Sequence, residues 1–596
     1  MSNFFKILFG SCLGTLLALG AMFFIGFSAI VGLASSGEQK PAVENNSILK
    51  LDLTQVPELT GNVDANNGFA GFELDMDEVV GVHDVIRTIE RAKTDDNIKG
   101  IYLNSGIQAG GFTKLRMIRE ALADFRESGK FVVSYAPYYD QSAYYLSTAA
   151  DEIYVGPLGV IDFRGIGGEI MFYKGMMEKI GVDVEVFYAG QFKSATEPFR
   201  RKNMSDQNRE QTREFLGAMF TFMVDDIAEA RGLSSADIRN RANTMAGWKG
   251  EEAVTGGLID GIKRRSEVDA RLRELIGFES DQKLKTISHE KYFSARLSKL
   301  KGRGNSEVAV LIAEGSIVDG KGANGSIGDT KYVREIEKLT EDDDVKAVVL
   351  RVNSGGGSAS SSENIWYAAE QLKAAGKPFV VSMGSVAASG GYYVAAGADS
   401  IFAEPSTITG SIGVFMMFPK DDGLMEGKLG LTTDTVNTAK HANGFSPFRP
   451  LAEEERAILQ QRTKAIYATF LDRVAEGRDI PLDRVKEIAQ GRVYAGNRAL
   501  EIGLVDRLAG LDEAIASASR MAGLDPEDIS VGHYPKIKPP IEQLIEDLLG
   551  EDAAKGFGNA MLKDQLGDKN YEYFQMMREM TQTQGVQARM PVKINF

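Results

Sequence analysis

Cysteine, histidine and tryptophan are nearly missing from this chain of 596 residues, which has one Cys, four His and two Trp. A single Cys excludes any disulfide within the chain. No Cys/His pair stands at ligand spacing, so no structural zinc or other metal is expected. Positive charge is also in deficit: 68 Lys and Arg face 83 Asp and Glu, a net of 68 − 83 = −15. Phosphate backbones are held mainly by clustered Lys and Arg, so the balance argues against a nucleic-acid partner. No cofactor is expected, and the chemistry left to the chain is that of Ser, Lys, Asp and Glu. At about 150 residues per domain the length suggests roughly four units.

What is present begins with one long uncharged run, the 27 residues Ile7–Leu33. About 20 apolar residues suffice to cross a hydrocarbon core as a helix. Gly32-Leu33-Ala34 before Ser35 also offers a small-residue cleavage site, but the apolar core of a cleaved signal is usually about 7–15 residues long. A retained transmembrane helix over 7–33 is therefore expected, preceded by a cytoplasmic segment 1–6 and followed by a polar tether 34–46. Cys12 falls inside the span and reads as a small buried residue. Lys6 precedes the span while Glu38, Lys40 and Glu44 follow it, which favours a cytoplasmic amino terminus and an extracytoplasmic body.

The body contains itself twice. DDNIKGIYLNSG from Asp95 returns as DDDVKAVVLRVNSG from Asp342, and the stretch Gly129–Pro157 returns as Gly376–Pro405. Ser134 and Ser382 are 248 positions apart, as are Pro157 and Pro405, while Asp260 and Asp506 are 246 apart. In each copy short β-branched runs (Ile98–Leu103, Val345–Val352, Phe379–Ser382) alternate with helical patterns (Thr113–Arg126, Ser362–Ala375), and Gly129 and Gly376 stand where helix C-caps belong. This alternation predicts α/β units with largely parallel strands. The first copy is assigned to 47–300 and the second to 301–533. An extension, 534–596, carries an amphipathic segment and a Met-rich helix suited to packing or oligomer contact.

Function is expected where the copies have diverged. The second copy has Asn353-Ser354-Gly355-Gly356-Gly357 after one strand and Ser385-Val386-Ala387-Ala388-Ser389-Gly390-Gly391 after the next. Two Gly-rich turns at neighbouring strand ends can aim backbone N–H groups at one point, as a forming oxyanion requires. Ser389 then has the setting of a nucleophile, where the first copy has Gln141. The plainer alternative is that Ser389 caps a helix and the glycines permit turns. Ser354, Ser358, Ser382 and Ser385 are rivals without the small-Ser-Gly-Gly context. None of His83, His289, His441 and His533 stands in a setting that suggests a base, and each reads as a surface side chain. A desolvated lysine can serve instead. Aligning Pro198 with Pro447 sets Lys193 of the first copy opposite Ala442 of the second, with Lys440 two residues out of register as the alternative.

At these residues the chain resembles the long form of the signal peptide peptidase A family, also called protease IV. The resemblance is carried by Gly190-Gln191-Phe192-Lys193-Ser194-Ala195-Thr196-Glu197-Pro198-Phe199, by Asn353–Gly357, by Ser385–Tyr392 and by Thr407–Val414. It implies tandem ClpP/crotonase-like α/β domains behind an N-terminal membrane helix. By match, Ser389 is the nucleophile and Lys193 the general base, one from each copy. Backbone N–H groups of Gly390, Gly356 and Gly357 would form the oxyanion hole, and Ser411 would orient the lysine. Gly355 stands where the family usually has Pro. The resemblance further implies a single-pass protein of the bacterial inner membrane with a periplasmic body. It would be a homotetramer cleaving hydrophobic signal peptides. A crotonase-type acyl-CoA enzyme and a non-catalytic membrane scaffold are the rival functions.

Overall fold

The computed structural model describes residues 42–54, 56–58, 80–104, 111–296, 306–323 and 325–536, and the backbone of Gln587–Arg589. The expected span 7–33 and most of the extension 534–596 lie outside the described residues. Among the described residues no helix is long and apolar enough to cross a membrane.

The strands of the first copy are β1 (Ser47–Leu51), β2 (Ile98–Leu103), β3 (Phe131–Ala136), β4 (Glu152–Val155), β5 (Asp183–Ala189), β6 (Gly261–Ile262) and β7 (Thr286–Ser288). Those that follow are β8 (Glu307–Glu314), β9 (Ser316–Val318), β10 (Ser326–Gly328), β11 (Val345–Ser354), β12 (Gly356–Ser358), β13 (Phe379–Ala388) and β14 (Ser400–Ala403). The remainder are β15 (Ile408–Gly410), β16 (Val414–Lys420), β17 (Val493–Ala495), β18 (Arg507–Leu508), β19 (Ser530–Tyr534) and β20 (Gln587–Arg589). One sheet runs β6-β4-β3-β2-β1-β7 and is parallel throughout. A second repeats that order as β18-β14-β13-β11-β8-β19, also parallel, and adds β15 and β17 beyond the far end of β13. The duplication legible in the sequence is thus a duplication of strand order.

The central strands are near-continuous apolar runs because helices cover both faces of each sheet. Along β8, Val308, Val310 and Ile312 pack into one buried cluster and Ala309, Leu311 and Ala313 into another. The helices Phe112–Arg126 and Ala359–Ala374 occupy the same place in their copies. Each is followed by a glycine in the left-handed region, Gly129 at φ 80° and Gly376 at φ 86°, which ends the helix and turns the chain into the next strand.

Two features depart from simple repetition. A third sheet, β10-β9-β12-β20-β16-β5, draws on both copies: β5 of the first runs antiparallel to β16 of the second from Val414↔Ala189 to Lys420↔Asp183. In addition, β13 continues six residues past the Phe379–Ser382 strand expected from sequence, to Ala388. Gly384 and Ser385 resemble a turn but form a bulge, since β11 and β13 pair at Val352↔Met383 and again only at Ser354↔Ala387. Beyond it β15 takes over the pairing, and the Thr407 and Thr409 hydroxyls donate to the Gly384 and Ala387 carbonyls, each at 2.8 Å.

One hydrogen bond recurs in both copies. The Tyr144 hydroxyl donates to the Leu258 carbonyl at 3.0 Å and the Tyr392 hydroxyl to the Leu504 carbonyl at 2.9 Å, all buried. Each Tyr→Phe change strands a buried carbonyl. Tyr144→Phe and Tyr392→Phe are therefore expected to destabilise by similar amounts, about 1–2 kcal/mol each, read by denaturant unfolding.

Candidate active site

Ser389 ends the β13 segment and precedes the helix Gly390–Ala395. It occupies the N-cap position, yet its side chain makes no capping bond, and φ 57°, ψ −116° lies outside ordinary cap geometry. For a non-glycine residue such a backbone is strained, and the surroundings hold it: the Ser389 N–H donates to the Gly410 carbonyl at 2.8 Å. In the first copy Asp140 does cap its helix, accepting from the Ala143 N–H, and Gln141 Oε1 accepts from the Arg164 and Gly165 N–H groups at 3.1 and 2.8 Å. The equivalent place there is filled by satisfied structural groups.

Lys193 follows β5 and precedes the single helical turn Ser194–Thr196. Its Nζ lies 2.7 Å from Ser389 Oγ, 3.0 Å from the Ser411 carbonyl and 3.0 Å from Ser411 Oγ. All three side chains are buried, Lys193 at 1% exposure and both serines at 0%. Burial, with no balancing charge among the described residues, holds the Lys193 amine well below the usual lysine range. Ser411, to which the resemblance gives an orienting role, thus stands within hydrogen-bond reach of the amine. Ser411 adopts φ 52°, and its N–H donates to the Arg492 carbonyl at 2.6 Å.

Packing between the copies fixes the lysine segment. The Phe192 N–H donates to the Gln490 carbonyl at 2.8 Å. At Gly491, φ 73°, a Cβ would stand 2.8 Å from that of Lys193, so only glycine admits the lysine this closely. Gln211 joins the two sides: its Nε2 donates to the Phe192 carbonyl and Ser194 Oγ at 3.1 and 3.0 Å, and its Oε1 accepts from the Val493 N–H at 3.2 Å. Glu197, buried beside it, accepts from the Ser205 N–H and Asn208 Nδ2 at 3.0 Å each. Sequence reasoning missed Gln211 altogether, because nothing in the pattern of its long helix separates it from a packing residue.

The glycine turn stands alongside. Gly391 packs so near the Ser354 carbonyl that a Cβ would lie 2.6 Å from it. Gly390 opens its helix, where N–H groups lack intrahelical partners. The Gly356 N–H is not bare, since it donates to Ser354 Oγ at 3.1 Å. β12, which holds Gly356 and Gly357, lies between β9 and β20, with Gly356↔Arg589 and Gly357↔Ala588 paired antiparallel.

The other sequence candidates stand elsewhere. Lys440 is exposed and paired to Glu454 at 2.6 Å. His83 and His289 are buried rather than at the surface; His83 packs on His533 with ring centroids 5.8 Å apart, and His289 lies against Glu290. Ser382 accepts from Arg351, and Ser358 caps the helix Ala359–Ala374. Among the described residues no group of His, Cys, Asp and Glu could hold a metal ion.

Comparison with known proteins agrees with this picture at the level of the family. The profile of peptidase family S49 matches residues 124–279 and again 371–525, an offset of 371 − 124 = 247 that falls within the internal repeat. Protease 4 of Haemophilus influenzae is 35% identical over 516 residues, covering 84% of this chain and 83% of its own. Protease 4 of Salmonella typhi is 34% identical over 450 residues, 74% of this chain and 72% of its own. The chloroplastic serine protease SPPA of Arabidopsis thaliana is 32% identical over 506 residues, 84% and 72%. A ClpP1 chain from Listeria monocytogenes overlaps at a TM-score of 0.24 and 13% identity, covering 35% of this chain and 93% of its own, too slight a likeness to bear on the fold. The class defined is that of the serine peptidases. Within it, the chain belongs to peptidase family S49, as the motif resemblance implies.

Because the buried amine sheds its proton more readily folded than unfolded, the unfolded state binds the extra proton between the depressed pKa and the ordinary one. Stability therefore rises with pH across that interval, and Lys193 costs most at its acid end. Melting temperatures measured from about pH 6 to about pH 10 should show this rise in the wild type, and Lys193→Met should remove its share of it.

Proposed function

We propose that the chain is a membrane-anchored endopeptidase with a Ser-Lys dyad, Ser389 as nucleophile and Lys193 as general base. The observation that carries this reading is the 2.7 Å approach of Lys193 Nζ to Ser389 Oγ in a buried site where no charge among the described residues raises the lysine pKa. In the neutral amine two N–H groups serve the Ser411 carbonyl and Oγ, and the lone pair faces the Ser389 hydroxyl. As Oγ attacks a peptide carbonyl, Nζ takes its proton. Collapse of the tetrahedral intermediate breaks the C–N bond, and the ammonium returns that proton to the leaving amine. Water then gives a proton to the same amine and attacks the acyl-serine, releasing the acid and restoring both side chains.

The oxyanion would be met by the Gly390 N–H at the helix start and by the Gly356/Gly357 turn, where it competes with Ser354 Oγ for the Gly356 donor. The antiparallel pairing of Gln587–Arg589 along β12 supports strand addition, since that edge accepts an extended segment beside the nucleophile. Hydrophobic signal peptides, unfolded and extended, fit such a slot. The uncharged run Ile7–Leu33 supports an inner-membrane anchor with the body outside the cytoplasm. A homotetramer follows from family resemblance alone.

Ser389→Ala and Lys193→Ala are each expected to lower peptide cleavage by about 10³-fold or more with assembly intact. A fluorophosphonate should label Ser389, and the rate should climb with pH as Lys193 loses its proton. Cleavage that survives Lys193→Ala and fails in Lys440→Ala would move the base. Acyl-CoA binding without serine labelling would favour the crotonase chemistry, and absence of hydrolysis by the purified chain would favour a scaffold.

A further inference from the structure

A group of buried charges lies under the β13 bulge and takes no part in the dyad. Arg351, 1% exposed, points from β11 and donates through Nη1 to Ser382 Oγ and the Met383 carbonyl, both at 2.9 Å. Its Nε donates at 3.0 Å to Glu58, a residue of the first copy that is 3% exposed. Lys114, also from the first copy, stands 3.5 Å from Glu58 and 3.0 Å from Glu314. Glu314 accepts from Asn353 Nδ2 at 3.1 Å, and Asn353 Oδ1 accepts from the Val386 N–H at 3.1 Å.

These contacts bracket the bulge. Between Met383 and Ala387 the β13 backbone leaves the β11 ladder, so its polar groups need other partners. Arg351 supplies a donor at the start and Asn353 an acceptor at the end, while a Cβ at Gly384 would stand 2.9 Å from Asn353 Cβ and 3.0 Å from Glu58 Oε1. Arg351 can remain in so dry a place only with an anion beside it. That anion comes from the other copy. Arg351 and Lys114 in turn hold the Glu58 carboxyl below its ordinary value, against the burial that would raise it.

We propose that Glu58, Lys114, Glu314, Arg351 and Asn353 are positioning residues that fix the β13 bulge in the shape that aims Ser389 at Lys193. This rests on the dyad reading above. The first copy then contributes twice to the site, once as the base and once as the counter-charge beneath the nucleophile strand. The contacts described for the cluster reach β13 and one another and not Gly356–Ser358, so the effect is expected in the chemical step rather than in substrate binding.

Glu58→Gln keeps size and hydrogen-bonding reach while removing the charge. Expected are a fall in kcat of about tenfold or more with KM within about twofold, and fluorophosphonate labelling of Ser389 slowed by the same factor. The pH at which activity rises should be unchanged, because the burial of Lys193 is untouched. A folded Glu58→Gln with wild-type kcat and labelling rate overturns the proposal and leaves the dyad standing. Should Glu58→Gln fail to fold, the partly exposed Glu314→Gln decides: a drop in kcat at constant KM supports the proposal, and an unchanged kcat overturns it. A wild-type chain that the probe leaves unlabelled at Ser389 overturns the dyad, and this proposal with it.

Discussion

A lysine amine buried without a counter-ion is the constraint on which the rest of the site depends. An isolated ammonium in such a place is so costly that burial holds the amine well below the usual lysine range. Everything around Lys193 serves that condition. Gly491 lets the backbone close over it, Gln211 ties its flanks to the second copy, and Ser411 takes its N–H groups without bringing charge. A carboxylate in place of Ser411 would stabilise the ammonium and raise the pKa that burial lowers.

Duplication is what makes this burial attainable. Each copy alone is a parallel sheet covered by helices, and the strand ends that could carry chemistry would open to solvent. Setting the second copy against the first closes those ends, and the β5–β16 ladder stitches the strand before Lys193 to the strand after Ser411. The ion pairs of Arg351 with Glu58 and of Lys114 with Glu314 likewise join the two copies. The interface between the copies therefore serves both as a packing surface and as the wall of the site.

Much of this was legible in the sequence, because repetition and motif are local signals. The 248-residue offset foretold two copies, and the structure returns them as one strand order used twice. Ser389, Lys193 and Ser411 were named from motif matches and do meet in space. The rest depended on contacts between distant residues. Gly384-Ser385 looks like a turn because local propensity cannot see that β15 will pair beyond it. Glu58 and Arg351 are 293 positions apart, and nothing local in the sequence signals that they pair. His83 and His289 were misjudged for the same reason, being polar in sequence yet covered by elements that come later.

The separation of Lys193 and Ser389 along the chain has a consequence in time. Lys193 is made 196 residues before Ser389, and the turn that caps the lysine comes later still, at Gln490 and Gly491. Until those later residues are made, the contacts that Lys193 makes with Ser389 and Ser411 are absent. On the proposed mechanism, nucleophile and base meet only once the second copy has folded against the first, so a half-built chain would lack the means to cut its own unfolded remainder.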